Sequence, residues 1–223
     1  MEKIGKLIVV EGPDGSGKST MLNKFKDSVK NDNTYVFIKE PSDTPIGKFA
    51  RSWVHSTDSM ESAMSATEAL YLFSASRIEV LKDVILPALK EGKIVISDRF
   101  AISTAVYQDL IPEWNLTKLV NAVLEDLAKH VKVDATFYLD LPSEEIVKRL
   151  RSRKNQDIIT DEFNDSREAS FYESLHLKYM CLLFGPSLNK KLIGKVINLN
   201  AMQTEDKLFE NFKMEIEKIK NDG

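Results

Sequence analysis

The chain has 223 residues, enough for one compact domain that on folding would bury about 70% of the surface its extended form exposes. Hydrophobic residues make up 43% and charged residues 29%, which excludes wholesale disorder and fibrous repeats. The 31 basic and 34 acidic side chains leave a net charge of -3, against a nucleic-acid partner, and the single cysteine, Cys181, excludes an intrachain disulfide and predicts a reducing, cytoplasmic setting.

Met1-Glu2-Lys3 leads straight into a strand-like run, Lys6 to Glu11, rather than a signal peptide, and no later apolar run approaches the roughly 18 residues of a membrane span. No membrane partner is therefore expected. Four more β-rich runs follow: Tyr35 to Glu40, Lys93 to Asp98, Ala135 to Asp140 and Lys195 to Asn200. Each is nearly continuous in apolar residues, as a sheet covered on both faces requires, and each is separated from the next by stretches of helical period. Strands alternating with helices predict right-handed crossovers and a mostly parallel, five-stranded sheet in an α/β fold. Between the second and third runs, Thr67 to Glu91 has helical spacing, with Pro87 expected to kink or restart the helix. Ser152 to Ser166 is polar and poor in core formers, and reads as a mobile excursion between two helices. Cys181 lies in an apolar stretch and is expected to be a buried small hydrophobe. His55, His130 and His176 are scattered and form no metal or triad pattern.

The first strand runs into Gly12, Pro13, Asp14, Gly15, Ser16, Gly17, Lys18 and Ser19, with Thr20 behind them. This fits G-x-x-x-x-G-K-[ST] between a strand and a helix. The glycines permit a tight path whose N–H groups face inward as an anion nest, reinforced by the helix N-terminus. Lys18 would neutralise the outer phosphates, and the Ser19 hydroxyl would join a Mg²⁺ shell. Binding of a nucleoside triphosphate is the expectation. A GTPase would need a guanine-reading N-K-x-D segment, which is absent, and a mechanical ATPase would have more chain around it, so a small kinase is the class left.

The order of landmarks resembles the thymidylate kinase family over nearly the whole chain. After Glu11 to Ser19 come Glu40-Pro41-Ser42-Asp43-Thr44, then Phe73 and Arg77, then Asp98-Arg99-Phe100, Ser103-Thr104 and Tyr107-Gln108, and finally Tyr138 to Glu145 with Lys148 to Arg153. The resemblance implies a three-layer P-loop kinase fold in a single domain, 1–223, with a mobile lid within about 149–166. It implies dTMP as acceptor, ATP as donor and a homodimer. It gives Phe73 to stacking on the base and Arg77, one turn on, to hydrogen-bonding it. Arg99 would hold the acceptor phosphate with Arg51 adding charge, Asp98 would support Mg²⁺ through water, and Asp14 would accept from the sugar 3′-hydroxyl. Ser103, Thr104 and Gln108 would lie near the base, with Tyr107 beside the sugar. Because the loop carries Gly15 where some members carry an arginine, the catalytic arginine would come from the lid, Arg153 first and Arg149 second. The chain departs from the pattern at Ser42-Asp43, where many relatives have Gly-Gly, and in lacking the Asp-Arg pair common within the lid. The rival readings are a kinase of similar fold for another deoxynucleotide or a nucleoside, and a catalytically silent nucleotide-binding module.

Overall fold

The five apolar runs fold as five strands: β1 (Lys6–Glu11), β2 (Tyr35–Lys39), β3 (Ile94–Asp98), β4 (Ala135–Asp140) and β5 (Lys195–Asn200). A computed structural model describes residues 5–55, 65–108, 116–154, 169–185 and 190–221. All four strand pairings are parallel, and the order across the sheet is β2-β3-β1-β4-β5. The helices are α1 (Lys18–Ser28), α2 (Pro45–His55), α3 (Ala66–Val80), α4 (Leu86–Lys90), α5 (Ala101–Tyr107), α6 (Thr117–His130), α7 (Ser143–Lys154), α8 (Ala169–Phe184), α9 (Lys190–Ile193) and α10 (Glu205–Asn221).

Why the strands read as continuous apolar runs is visible in β1. Leu7 and Val9 face a core shared with Leu70 of α3, Ala88 of α4 and Leu124 of α6. Ile8 and Val10 face the opposite core, shared with Phe25 of α1, Leu175 of α8 and Phe212 of α10. Both faces of the central strands are thus covered, giving three layers, and a polar side chain inside them needs a partner, as Thr136 of β4 finds in Ile193 O. Aromatic edges knit the second core: Phe212 meets Phe137 at 4.7 Å and Phe25 at 5.2 Å between ring centroids.

The helical stretch before β3 does restart at Pro87. A single π-helical turn, Leu81–Ile85, separates α3 from α4, and Pro87 lies in the first turn of α4. Pro87 has no N–H to donate and its ring would strike the carbonyl four residues back; widening that turn relieves both. Cys181 departs from expectation: it is exposed. Helix α8 buries Tyr172, Leu175, Tyr179 and Leu183, and the face it turns outward carries Leu177, Cys181 and Phe184, so an apolar stretch did not mean a buried one. No helix among the described residues is long and apolar enough to cross a membrane.

Register brings the strand exits together. Val10 of β1 and Lys39 of β2 both lie opposite Asp98 of β3. The ladder continues one residue beyond, with Arg99 N–H donating to Val10 O at 2.9 Å and Glu40 N–H to Asp98 O at 3.0 Å. Glu11, Glu40, Asp98 and Arg99 therefore share one end of the sheet, the carboxyl end where open α/β sheets bind ligands.

Candidate active site

Gly12 opens the loop after β1 at φ +147, and a Cβ there would lie 2.9 Å from the Leu139 carbonyl, so only glycine fits this turn without displacing β4. Gly15 and Gly17 also take positive φ. The loop delivers the chain into α1, whose N-terminus has no side-chain cap and no acidic residue in its first turn. Its free N–H groups and the positive end of the helix are open to an anion. Lys18 is buried, and its ammonium donates to Gly12 O at 2.8 Å and Pro13 O at 2.9 Å. Burial, with Arg99 adding to it, pushes that ammonium down to about 8, against the pull of Asp14, Asp98 and Glu11. Ser16 Oγ is buried without a partner, while Ser19 and Thr20 are exposed on the first turn of α1.

Across the loop, Ser19 Oγ donates to Asp98 Oδ2 at 3.4 Å, and Asp98 Oδ1 is buried without a partner among the described residues. One hydroxyl and one unspent carboxylate oxygen form a donor set suited to a hydrated hard cation, whose remaining ligands would be water and phosphate. Among the described residues no group of His, Cys, Asp and Glu could hold a metal ion unaided.

Arg99 stands at φ +70, a rare conformation for a residue with a Cβ. Its guanidinium reaches Asp14 Oδ1 of the phosphate loop at 2.5 Å, Ser103 Oγ at 3.1 Å and Tyr179 OH at 3.4 Å, and lies 5.1 Å from the centre of the Tyr107 ring. Burial works against ionisation of Asp14, yet Arg99 and Lys18 hold its carboxyl below the usual value. The structure thus gathers Asp14, Arg99, Ser103 and Tyr107 in one cluster, and adds Glu11, a strand-exit carboxylate, and Tyr179, neither of them among the predicted site residues.

A second cluster lies at the neighbouring strand exit. Arg77 is buried, donates from Nε and Nη2 to Glu40 Oε2 at 2.8 and 2.6 Å and from Nη2 to Phe100 O at 3.2 Å, and covers the Phe100 ring at 5.5 Å. Among the described residues its Nη1 has no hydrogen-bond partner. Burial lifts the Glu40 carboxyl above its ordinary value and Arg77 pulls it back. Phe73, one turn before Arg77 on α3, is half-buried and belongs to neither core. Thr104 and Gln108 are buried, and among the described residues Gln108 Oε1 has no partner. Glu40 as the partner of Arg77 escaped the sequence reading, although its place at a strand exit was a signal.

The remaining predicted residues are less concentrated. Arg51 donates to Asp43 Oδ1 at 3.2 Å and to Pro41 O, so it is tied to the loop after β2. In that loop Ser42 is buried, with Oγ 2.6 Å from Thr44 Oγ1 and 3.4 Å from Ser76 Oγ, which explains how its polar side chain is held there. Arg149 has its donors engaged, with Glu145 Oε1 at 3.1 Å, Gly15 O at 3.4 Å and Ala201 O at 3.0 Å, so it braces the phosphate loop against the turn after β5. Arg153 falls on the last turn of α7, and its side chain, like residues 155–166 of the expected lid, lies outside the described part of the chain.

The thymidylate kinase family model matches residues 10–191. The chain is 34% identical over 222 residues to a thymidylate kinase of Prochlorococcus marinus (strain NATL1A), covering 96% of this chain and 97% of that one. It is 34% identical over 218 residues to one of Chlorobium chlorochromatii (strain CaD3), with 95% and 94% covered, and 30% identical over 210 residues to one of Clostridium novyi (strain NT), with 94% and 97% covered. With the phosphate loop, the Arg99 cluster and the Arg77 cluster in place, the chain belongs to the thymidylate kinase family.

Proposed function

We propose that the protein transfers the γ-phosphoryl group of ATP to dTMP, giving dTDP and ADP. The observation that carries this reading is the 2.5 Å contact between Arg99 and Asp14, which sets a cation fit for a second phosphate against the loop that cradles the first. An oxygen of the acceptor phosphate attacks the γ-phosphorus in line, a new P–O bond forms, and the bond to the bridging oxygen of ADP breaks. That attacking oxygen is already ionised, so no general base is required. Lys18, Arg99 and the loop N–H groups position the two phosphates and stabilise the charge that develops between them. Mg²⁺, held by Ser19 and through water by Asp98, would neutralise charge on the β- and γ-oxygens when bound. Phe73 stacks on the base and the free Arg77 Nη1 donates to it. Gln108 Oε1 offers the acceptor, Thr104 lies beside them, Tyr107 packs by the sugar, and Arg51 adds charge near the acceptor phosphate.

The chain works as a single domain whose lid, within about 149–166, supplies the transition-state arginine. Since Arg149 is engaged on the loop, Arg153 is the first choice, and Arg153→Ala should lower kcat about tenfold or more with little change in KM for dTMP. An unchanged kcat in Arg153→Ala and in the double variant with Arg149→Ala would refute a lid arginine. A homodimer is favoured by the exposed apolar side chains of Ile46, Phe49 and Trp53 on α2 and Tyr71 and Ile78 on α3, since these helices pack on each other. Sedimentation should give the mass of two chains, and Phe49→Asp with Trp53→Asp should halve it; a monomeric parent chain would exclude this interface. A cytoplasmic setting accords with the single free thiol.

The test is release of ADP, coupled to a spectroscopic readout, against a panel of nucleosides and monophosphates. Turnover should be highest with dTMP. Highest turnover with an unphosphorylated nucleoside would indicate a nucleoside kinase, and none with any acceptor a silent nucleotide-binding module.

A further inference from the structure

Glu11 has no task in the phosphoryl transfer just described, yet it is fully buried beside it at the end of β1. Its two oxygens divide their partners. Oε1 accepts from the N–H groups of Phe100 at 3.0 Å and Ser103 at 3.2 Å, capping α5, which has no side-chain cap of its own. Oε2 accepts from Ser103 Oγ at 2.6 Å and Tyr179 OH at 3.2 Å. A hydroxyl has one proton, and once it is given to Glu11 only lone pairs remain for other neighbours. The neighbour is Arg99, whose Nη1 lies within 3.1 Å of Ser103 Oγ and 3.4 Å of Tyr179 OH. The Arg99 backbone is held as well, its N–H by Val10 O at 2.9 Å and its carbonyl by Ser97 Oγ at 2.6 Å.

We propose that Glu11 is the positioning residue of the acceptor-phosphate site: by taking both hydroxyl protons it makes Ser103 and Tyr179 acceptors, and these hold the Arg99 guanidinium beside Asp14, aimed at the incoming phosphate. This rests on the assignment of Arg99 to that phosphate. In a buried site such a chain of hydrogen bonds is strengthened by the low local dielectric, and reversing one member is correspondingly costly.

Glu11→Gln separates positioning from capping. The amide oxygen must stay on the two backbone N–H groups, so the cap on α5 survives. The amide NH₂ is then forced onto Ser103 and Tyr179, whose hydroxyl protons turn toward the guanidinium. Calorimetric binding of dTMP and of thymidine, which lacks only the phosphate, reads the difference. Glu11→Gln should weaken dTMP about 10- to 100-fold, the range expected for lost hydrogen bonds to a charged group, while thymidine and ATP change by about twofold or less. Tyr179→Phe should weaken dTMP several-fold in the parent chain and add little in the Glu11→Gln background, because both act on one chain of bonds. An unchanged ratio of dTMP to thymidine affinity, or an equal fall in both, would overturn the proposal. Should Glu11→Gln fail to fold by circular dichroism, Ser103→Ala with Tyr179→Phe leaves the carboxylate and the backbone cap in place and must collapse the same ratio; an unchanged ratio there is equally fatal. Arg99→Ala is the control, since a ratio it leaves intact would remove the assignment on which the proposal rests.

Discussion

Lys18→Ala should lower phosphoryl transfer about 10²- to 10³-fold without unfolding the chain, the usual effect of deleting one preorganised group that stabilises transition-state charge. The side chain starts α1 and belongs to neither core, and among the described residues its ammonium bonds to Gly12 O and Pro13 O of the loop. Asp14, one of the carboxylates that act on Lys18, keeps Arg99 as its partner after the substitution. When a nucleotide enters, the ammonium must exchange two neutral carbonyls for anionic oxygens, an exchange that favours the charged phosphate and costs nothing in covalent chemistry. The loss should therefore fall mostly on kcat, where charge moves from the β–γ bridge to the acceptor. The coupled ADP assay and circular dichroism together decide it. Near-parental turnover with an unchanged spectrum would leave the phosphate loop without its assigned role.

Local signals were legible in the sequence, and long-range ones were not. The strands could be read because a doubly covered sheet makes the interiors of Lys6–Glu11 and Ala135–Asp140 nearly continuous in apolar residues, and the phosphate loop because its glycines, Lys18 and Ser19 act on one another over eight residues. Pro87 announced the break in its helix for an equally local reason. By contrast, the partners of Glu11 are 89, 92 and 168 positions away, and Glu40 and Arg77 are 37 apart. Such pairs are created by register and crossover, which composition along the chain does not encode. The same holds for Arg149, which a run of arginines marks as a cation but which only the fold sets between Gly15 and Ala201. Cys181 illustrates a subtler loss: α8 is apolar nearly all round, so its sequence carries no phase by which to tell the buried face from the open one.

Arg77→Ala should cost about 10- to 150-fold in kcat/KM for dTMP, the worth of a hydrogen bond to a charged group, and should shrink discrimination against dCMP at the same time. The geometry makes Arg77 a fixed reader. Glu40 takes Nε and Nη2, the Phe100 ring supports the plane, and Nη1 is the donor left over. Thymine presents an acceptor at O4 where cytosine presents an amino donor, so this fork satisfies the first and faces the second with like polarity. Truncation also leaves Glu40 buried without its counter-charge, a destabilisation of about 3–5 kcal/mol that must be kept apart from the kinetic effect. Arg77→Lys does so. Its ammonium can still pair with Glu40 and preserve the unfolding midpoint in urea, but a point charge cannot hold Glu40 and present a planar donor to the base together. Both variants should therefore lose the dTMP/dCMP preference while only Arg77→Ala loses stability. Phe73→Ala should act differently, weakening both pyrimidines in parallel, because stacking hardly senses the exocyclic group. If kcat/KM for dTMP and dCMP keeps its parental ratio in Arg77→Ala and in Arg77→Lys, the base is read elsewhere, and Gln108 with its buried, unpartnered Oε1 becomes the residue to change next.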